Sequence, residues 1–168
     1  FYAKTSPTRG AHGISAFYFL TDDVKGFHRE KIKKWGMRCS PTALLTFEDM
    51  ELPEENLIGG LNRGGAILTN GLCTERITLS GCCLGSQRAC LELSLRYARE
   101  RVQFGKPISS FQFIQGKLAD MYTGYMASRW MAYSAAAYCD SLVNKVGGKG
   151  TDLDRKAAAA LLFCGEMG

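Results

Sequence analysis

The residue with the clearest chemical potential is Glu75, a carboxylate inside an otherwise apolar helical pattern. A carboxylate in such surroundings is expected to be buried, and burial raises the pKa of a carboxyl group and suits it to abstract a proton. The alternative is structural, in which Glu75 pairs with a basic side chain on another helix or borders a solvated groove. At helical spacing its neighbours are Leu68, Gly71, Leu72, Thr78, Leu79 and Cys82.

A second candidate site lies in residues 101–112, where a helix ends in a cationic turn, a glycine-containing loop follows and a new helix begins. Backbone N–H groups, the helix dipole and Arg101 could together hold a phosphate there. Gln112 adds both a donor and an acceptor. The structural alternative assigns Arg99 and Arg101 to the helix C-terminus and pairs Ser109 with Gln112 as a capping box.

Composition narrows the class of protein. With 168 residues, 46% hydrophobic and 22% charged, the chain is typical of globular protein. The net charge is +5, and one tight basic cluster, residues 31–34, adjoins Trp35. We interpret that cluster as a solvated strand or turn and expect no nucleic-acid partner. We also expect no membrane span, because no stretch approaches the roughly 20 uncharged apolar residues that a span needs.

Seven cysteines are present, without any Cys-x-x-Cys pair or histidine-rich spacing. We therefore expect no metal site and interpret the thiols as free and mostly buried, as in a reducing compartment. The cysteines in apolar helical surroundings are Cys82, Cys83, Cys90, Cys139 and Cys164.

The order of patterns predicts an α+β fold. Residues 1–60 carry short β-favouring runs, chiefly 14–20 and 44–47, with turn residues between them, Asp22 and Asp23 included. We predict that they form the later part of a β-domain, a partial and barrel-like sheet. Residues 61–168 are predicted to form the first helices of a truncated, up-down four-helix bundle.

Three helices are predicted in the second region. The first spans about 62–103 without proline, and the second spans about 111–142 with a broad apolar and aromatic face. After a turn at 146–151, Asp152 begins a third helix that Thr151 is expected to cap. Because the chain begins within a strand pattern and stops within a helical one, we expect a fragment.

Several short motifs resemble the acyl-CoA dehydrogenases in order and spacing, over essentially the whole chain. The resemblance implies an N-terminal helical domain, a middle β-domain and a C-terminal four-helix bundle, of which this chain holds the later β-domain and the start of the bundle. The motifs are Gly36-Met-Arg-Cys-Ser40, Phe47-Glu-Asp49, Pro53, Asn56-Leu-Ile-Gly59, Arg101-Val-Gln-Phe-Gly-Lys106, Phe111-Gln112 and Lys117-Leu-Ala-Asp-Met121.

The resemblance also implies a flavin cofactor. In this family FAD lies between the β-domain and the bundle, and the neighbouring subunit of a dimer or tetramer holds its adenine and pyrophosphate end. Positions matching Arg101, Phe104 and Gln112 make that contact, and Gln103 lies beside them.

Residues 71–76 resemble the branch that acts on isovaleryl-CoA, in which the catalytic glutamate lies on the long helix. The resemblance implies that Glu75 removes the α-proton of an acyl-CoA thioester while a hydride leaves the β-carbon for the flavin. Electrons then pass to an electron-transfer flavoprotein, and the compartment is the mitochondrial matrix. The positions expected to contact the substrate are Cys73, Thr74, Arg76 and His12.

Some positions depart from the branch pattern. Cys73 replaces an aspartate that contacts the pantetheine, Ala66 replaces a tyrosine, and Ala11-His12 replaces a Ser-Arg pair, so that Arg9 or His12 could supply the charge near the CoA phosphates. In that pattern these positions contact the CoA and the acyl group, so the changes affect the identity of the substrate more than the type of reaction. Arg76 has a structural alternative as a buried charge paired elsewhere.

Two rival functions remain open at this point. One is a straight-chain dehydrogenase whose base lies beyond Gly168, which leaves Glu75 with a structural role. The other is a flavin-free helical-bundle protein that serves as a scaffold.

Overall fold

The computed structural model describes residues 1–7, 9–21, 24–143 and 151–168 and confirms the α+β class. The chain divides into two compact units, Phe1–Thr69 and Asn70–Gly168. The predicted turn residues Asp22 and Asp23 lie outside the described residues, and so does the turn predicted at 146–151 up to residue 150. The Thr151 side chain, which was expected to cap the next helix, also lies outside them.

The first unit is built from two antiparallel sheets. One has the strand order β1-β2-β5, with Ala3 opposite Ser15 and Ala16 opposite Ile58, and the other is the hairpin β3–β4. In the described part of the chain these strands do not close into a barrel. The strands are β1 (Tyr2–Lys4), β2 (Ile14–Phe17), β3 (Phe27–Lys31), β4 (Ala43–Phe47) and β5 (Leu57–Ile58).

A buried hydroxyl group fixes the start of the first long helix. Ser15 is fully buried, and its Oγ accepts the backbone N–H of Asn62 at 2.7 Å and shares a 2.7 Å hydrogen bond with Thr5 Oγ1. Gly64, the first helical residue, lies so close to this strand that a Cβ there would be 2.6 Å from the Ser15 carbonyl carbon. Only glycine permits that approach.

Aromatic side chains hold the base of the β3–β4 hairpin. Phe27 and Phe47 are cross-strand partners with ring centroids 5.5 Å apart. Phe19 meets Phe27 edge-on at 4.9 Å, and Phe1 stacks on Phe47 at 4.8 Å. Such pairs stabilise a hairpin beyond the area they bury.

The second unit contains most of the helical structure. A hairpin of two short strands, each of two residues, occupies the loop expected after the first helix. In the described part of the chain no helix is long and apolar enough to span a membrane. The elements are α1 (Gly64–Glu100), β6 (Val102–Gln103), β7 (Lys106–Pro107), α2 (Gln112–Val143) and α3 (Thr151–Met167), of which α1 starts in the first unit.

Small side chains form the core between these helices. The broad apolar and aromatic face predicted for the second helix is only partly covered by the described residues, since Tyr122, Trp130 and Tyr133 are exposed. Close helix packing selects small residues at the contact line, so these three rings project outward, whereas Tyr125 and Tyr138 are half-buried. The buried residues are Cys73, Ser80, Gln87, Leu91 and Ala98 on α1, Ser128, Ala132 and Ala135 on α2, and Ala157, Ala160 and Cys164 on α3.

The cysteines are free thiols, as predicted. Cys164 is buried and its Sγ lies 3.5 Å from the Ser128 carbonyl oxygen, whereas Cys82 and Cys90 are exposed. The prediction of burial is therefore wrong for Cys82 and Cys90. Apolar sequence neighbours do not ensure burial, since Leu91, next to Cys90, is buried while Cys90 itself faces outward from α1.

Candidate functional site

Glu75 lies on α1 with its side chain exposed, so the expectation of burial within this chain is wrong. The reason is geometric. Cys73 and Ser80 mark the side of α1 that faces the core, and two residues of helix rotate Glu75 by about 200° from Cys73. Glu75 thus faces away from the other described helices.

The face of α1 around Glu75 is apolar although it is exposed. Leu79 has 43% of its surface exposed, and the Thr78 hydroxyl is bonded within the helix, donating to the Thr74 carbonyl at 3.0 Å. Among the described residues, the Glu75 carboxylate has neither a hydrogen-bond donor nor an ion-pair partner. We call this face the Glu75 stripe, and it consists of Gly71, Leu72, Glu75, Thr78, Leu79 and Cys82.

Two further predicted contact residues flank Glu75. Thr74 is exposed, and Arg76 is half-buried with its carbonyl accepting the Ser80 hydroxyl at 2.9 Å. The Arg76 guanidinium forms no ion pair with any residue that the structure describes. The structural alternative, a charge paired elsewhere, therefore has no partner in this part of the chain.

Cys73 lies on the opposite side of α1 from Glu75. Only 5% of its surface is exposed, and its thiol donates a hydrogen bond to the Asp154 carboxylate of α3. Burial, with the adjacent Asp154 carboxylate, raises the pKa of the Cys73 thiol from its ordinary 9.0 to about 11. This position joins two helices and does not support the expected contact between Cys73 and a substrate.

Replacement of Cys73 by alanine is expected to change how stability depends on pH. Below about pH 9 the thiol is protonated in both the folded and the unfolded state, so its contact contributes fully. Between pH 9 and about 11 the unfolded thiol loses its proton first, so the free energy of unfolding falls as pH rises. The difference in melting temperature between the wild type and Cys73→Ala should therefore narrow across this range.

Cys90→Ala is the matched control, since Cys90 is exposed on the same helix. Its melting temperature should follow that of the wild type at every pH. A difference for Cys73→Ala that stayed constant through this pH range would contradict a thiol kept protonated by the fold.

The second predicted site forms a small hairpin. Strands β6 and β7 are joined by Phe104 and Gly105, whose φ angles of +51° and +77° are typical of a type I′ turn. Hydrogen bonds from Arg101 N–H to the Tyr97 carbonyl and from Ile108 N–H to the Arg101 carbonyl, both 2.8 Å, fix the hairpin to the end of α1. Phe104 is 92% exposed at its tip.

A positive φ is unfavourable for a bulky residue, and strained residues of this kind cluster at functional sites. The Phe104 ring meets Phe111 edge-on at 6.2 Å, and Lys106 Nζ lies 4.6 Å from the centre of the Phe111 ring. The sequence indicated no role for Lys106 or Phe111. Gly105 was the local signal for the turn that brings them together.

The predicted cofactor residues share this hairpin and the start of α2. Arg101, Gln103 and Gln112 are all exposed beside Phe104. In the described residues the capping box is not formed, and the Ser109 carbonyl instead accepts the Gln115 side-chain N–H at 3.0 Å. A guanidinium, two carboxamides and a projecting ring together suit a nucleotide, whose phosphates are anionic and whose base is flat.

His12 belongs to the first unit. It is exposed in a short 3₁₀ turn, where its backbone N–H donates a hydrogen bond to the Arg9 carbonyl at 3.0 Å. The described structure thus groups Thr74, Glu75 and Arg76 on α1. It groups the four predicted cofactor residues on the β6–β7 hairpin and the start of α2.

A long helix whose Glu75 carboxylate has no partner among the described residues, followed by a cationic and aromatic hairpin and two further helices, is the arrangement of one known class of enzyme domain. Residues 62–167 match the profile "Acyl-CoA dehydrogenase, C-terminal domain". The chain belongs to the acyl-CoA dehydrogenase family.

Individual relatives refine this class. Over 141 residues the chain is 47% identical to the mitochondrial isovaleryl-CoA dehydrogenase of Solanum tuberosum, a match that covers 83% of this chain and 34% of that protein. Among solved structures, butyryl-CoA dehydrogenase from Megasphaera elsdenii is 35% identical with a TM-score of 0.86, covering 99% and 41% of the two chains. PigA, solved with FAD and proline, is 31% identical with a TM-score of 0.88, covering 99% and 41%.

The chain thus spans roughly a third to two fifths of the length of these relatives. Its own residues include the long helix α1 and the β6–β7 hairpin of the C-terminal domain.

Proposed function

We propose that the whole protein is an FAD-dependent dehydrogenase that converts a short branched acyl-CoA, such as isovaleryl-CoA, to the 2,3-enoyl-CoA. The observation that carries the proposal is the Glu75 stripe, an exposed apolar face with one charged side chain that has no partner among the described residues. A structural glutamate would be paired or solvated among polar neighbours.

The stripe suits Glu75 for removal of the α-proton from the thioester. When an apolar acyl chain lies over Leu72 and Leu79, water leaves the carboxylate, and the loss of solvation makes it a stronger base. Because no described side chain binds the carboxylate, its lone pairs remain available. Gly71, one turn before Glu75, leaves room for the substrate.

Thr74 and Arg76 are proposed to border the same substrate, and His12 to lie near its CoA phosphates. Arg76, which has no ion-pair partner in the described part of the chain, adds a positive charge beside the base, and this charge favours the anionic form of the thioester as the proton leaves. The exposed His12, together with the exposed Arg9, offers the donors that a phosphate needs. Cys73 is omitted because its thiol bonds to Asp154.

The hairpin residues Arg101, Gln103 and Phe104, with Gln112 on α2, are proposed to hold the adenine and pyrophosphate end of FAD in a neighbouring subunit of a dimer or tetramer. FAD, when bound, supplies the acceptor for the hydride. The fit rests on the exposed guanidinium and carboxamides and on the projecting Phe104 ring. A similar fold solved with FAD, that of PigA, supports it.

The electron acceptor is proposed to be an electron-transfer flavoprotein and the compartment to be the mitochondrial matrix. Relatives named as mitochondrial isovaleryl-CoA dehydrogenases, from Solanum tuberosum among others, support the compartment and the substrate. A short branched acyl group suits a stripe in which Leu72 and Leu79 supply apolar surface and Gly71 leaves room beside the base.

The proposal predicts a flavin spectrum for the purified full-length protein and rapid bleaching by isovaleryl-CoA without oxygen. Butyryl-CoA and a long straight-chain acyl-CoA should reduce the flavin at least about tenfold less efficiently, because misfit of one or two methyl groups costs this much in an apolar pocket. Stopped-flow absorbance measures the rates. Faster reduction by straight chains would favour the first rival, and absence of flavin would favour the scaffold.

A further inference from the structure

The loop that joins β3 and β4 carries a concentration of positive charge. We call residues 31–42 the hairpin tip. No aspartate or glutamate occurs from residue 31 to residue 47, so the charge is not compensated along the chain. Three cationic residues of the tip are exposed and the fourth, Lys34, is half-buried. The exposed ones are Lys31, Lys33 and Arg38.

Apolar side chains project from the same tip. Trp35 is 100% exposed, Met37 is 72% exposed and Ile32 is 45% exposed. Singly exposed apolar residues are ordinary on protein surfaces, but three on one short loop, among four cations, form a mixed patch that needs an explanation.

The tip has a defined backbone. The Ile32 N–H donates to the Thr42 carbonyl at 2.9 Å, and the Ser40 N–H donates to the Met37 carbonyl at 3.0 Å. Met37 adopts a positive φ of 48°, which turns the chain back after Trp35. A cleft of about 540 Å³ runs between the cationic side chains and Trp35. Trp35 therefore projects from a loop that backbone hydrogen bonds hold in one conformation.

We propose that the hairpin tip docks on the surface of an anionic lipid bilayer. Tryptophan favours the boundary between headgroups and acyl chains, and nearby lysine and arginine side chains are attracted by anionic headgroups. An acidic protein would satisfy the cations, but the bilayer boundary offers anionic groups and an apolar phase side by side, which matches Trp35, Met37 and Ile32. The docking is peripheral and independent of the proposed dehydrogenase activity.

The test is sedimentation of the full-length protein with vesicles of phosphatidylcholine alone or mixed with phosphatidylglycerol. Binding should require the anionic lipid and weaken as salt is added. Lys33→Glu/Lys34→Glu should reduce the partition coefficient by tenfold or more, since each lysine near such a surface contributes roughly fivefold. Trp35→Ser should also reduce binding, and Trp35→Phe should retain part of it.

The charge-matched control is Lys4→Glu/Lys117→Glu, which changes two exposed lysines outside the tip. It should bind nearly as the wild type does, and all variants should keep the wild-type melting temperature. An equal loss of vesicle binding in the control would show that net charge alone causes the effect, and this would overturn the proposal. So would binding to polyglutamate with no binding to anionic vesicles, which would assign the tip to an acidic protein.

Discussion

Glu75→Gln in the full-length protein is expected to slow flavin reduction by isovaleryl-CoA by about 10² to 10⁴-fold, the range that a general base contributes. Glutamine keeps the shape of the side chain but cannot accept the α-proton. Because Glu75 is exposed on α1 and has no partner among the described residues, its loss should leave the melting temperature and FAD content unchanged. Anaerobic stopped-flow absorbance gives the rate.

Glu166→Gln provides the matched control, as an exposed glutamate on α3 away from the Glu75 stripe. It should reduce the flavin at the wild-type rate. Glu75→Asp should lie between the two, since it retains the base at a longer reach. A Glu75→Gln rate within a few-fold of the wild type would show that the base lies elsewhere in the protein, as the straight-chain rival requires.

Arg101→Ala is expected to weaken FAD retention by about tenfold to a hundredfold, because a hydrogen bond to a charged group contributes roughly 1.5–3 kcal/mol. Phe104→Gly should weaken it several-fold by removing the ring. Glycine adopts the +51° φ of this turn without strain, so the melting temperature of the apoprotein should be unchanged or slightly higher. Fluorescence titration of the apoprotein with FAD gives both affinities.

The Phe104→Gly result is diagnostic because FAD affinity is expected to fall while the melting temperature does not. If the ring only stabilised the hairpin, FAD affinity and thermal stability would fall together. Trp130→Ala serves as the control for loss of an exposed aromatic side chain, since Trp130 lies on α2 and is 69% exposed. Trp130→Ala should leave FAD affinity unchanged. A loss of FAD affinity equal to that of Phe104→Gly would contradict binding of FAD by the hairpin.

Local pattern was enough to predict the helices. The first helix was expected at about 62–103 and spans Gly64–Glu100, and the second was expected at about 111–142 and spans Gln112–Val143. Both have long, proline-free apolar periodicity, which depends on residues within one or two turns of each other. The motifs that indicate the family are likewise runs of adjacent residues, so they were readable without a fold.

Strand pairing was less accessible to the sequence. The run 14–20 was expected as one strand, but β2 ends at Phe17, where its pairing with Leu57 of β5 ends. That partner lies 40 residues away in the chain, and a strand's length depends on its partner as well as on its own residues. The β6–β7 hairpin was missed for a related reason, since two strands of two residues each leave almost no periodic signal in the sequence.

The sequence by itself determined that Glu75 is a carboxylate among apolar neighbours and that residues 101–112 join two helices through a cationic loop. Only the tertiary structure decided which side of α1 meets the core. Small residues at Cys73 and Ser80 allow close packing, so that face turned inward and Cys73 bonded to Asp154, while Glu75 was left exposed and unpaired among the described residues. Periodicity in the sequence shows that a helix has an apolar face, but packing against the partner helices determines which face is buried.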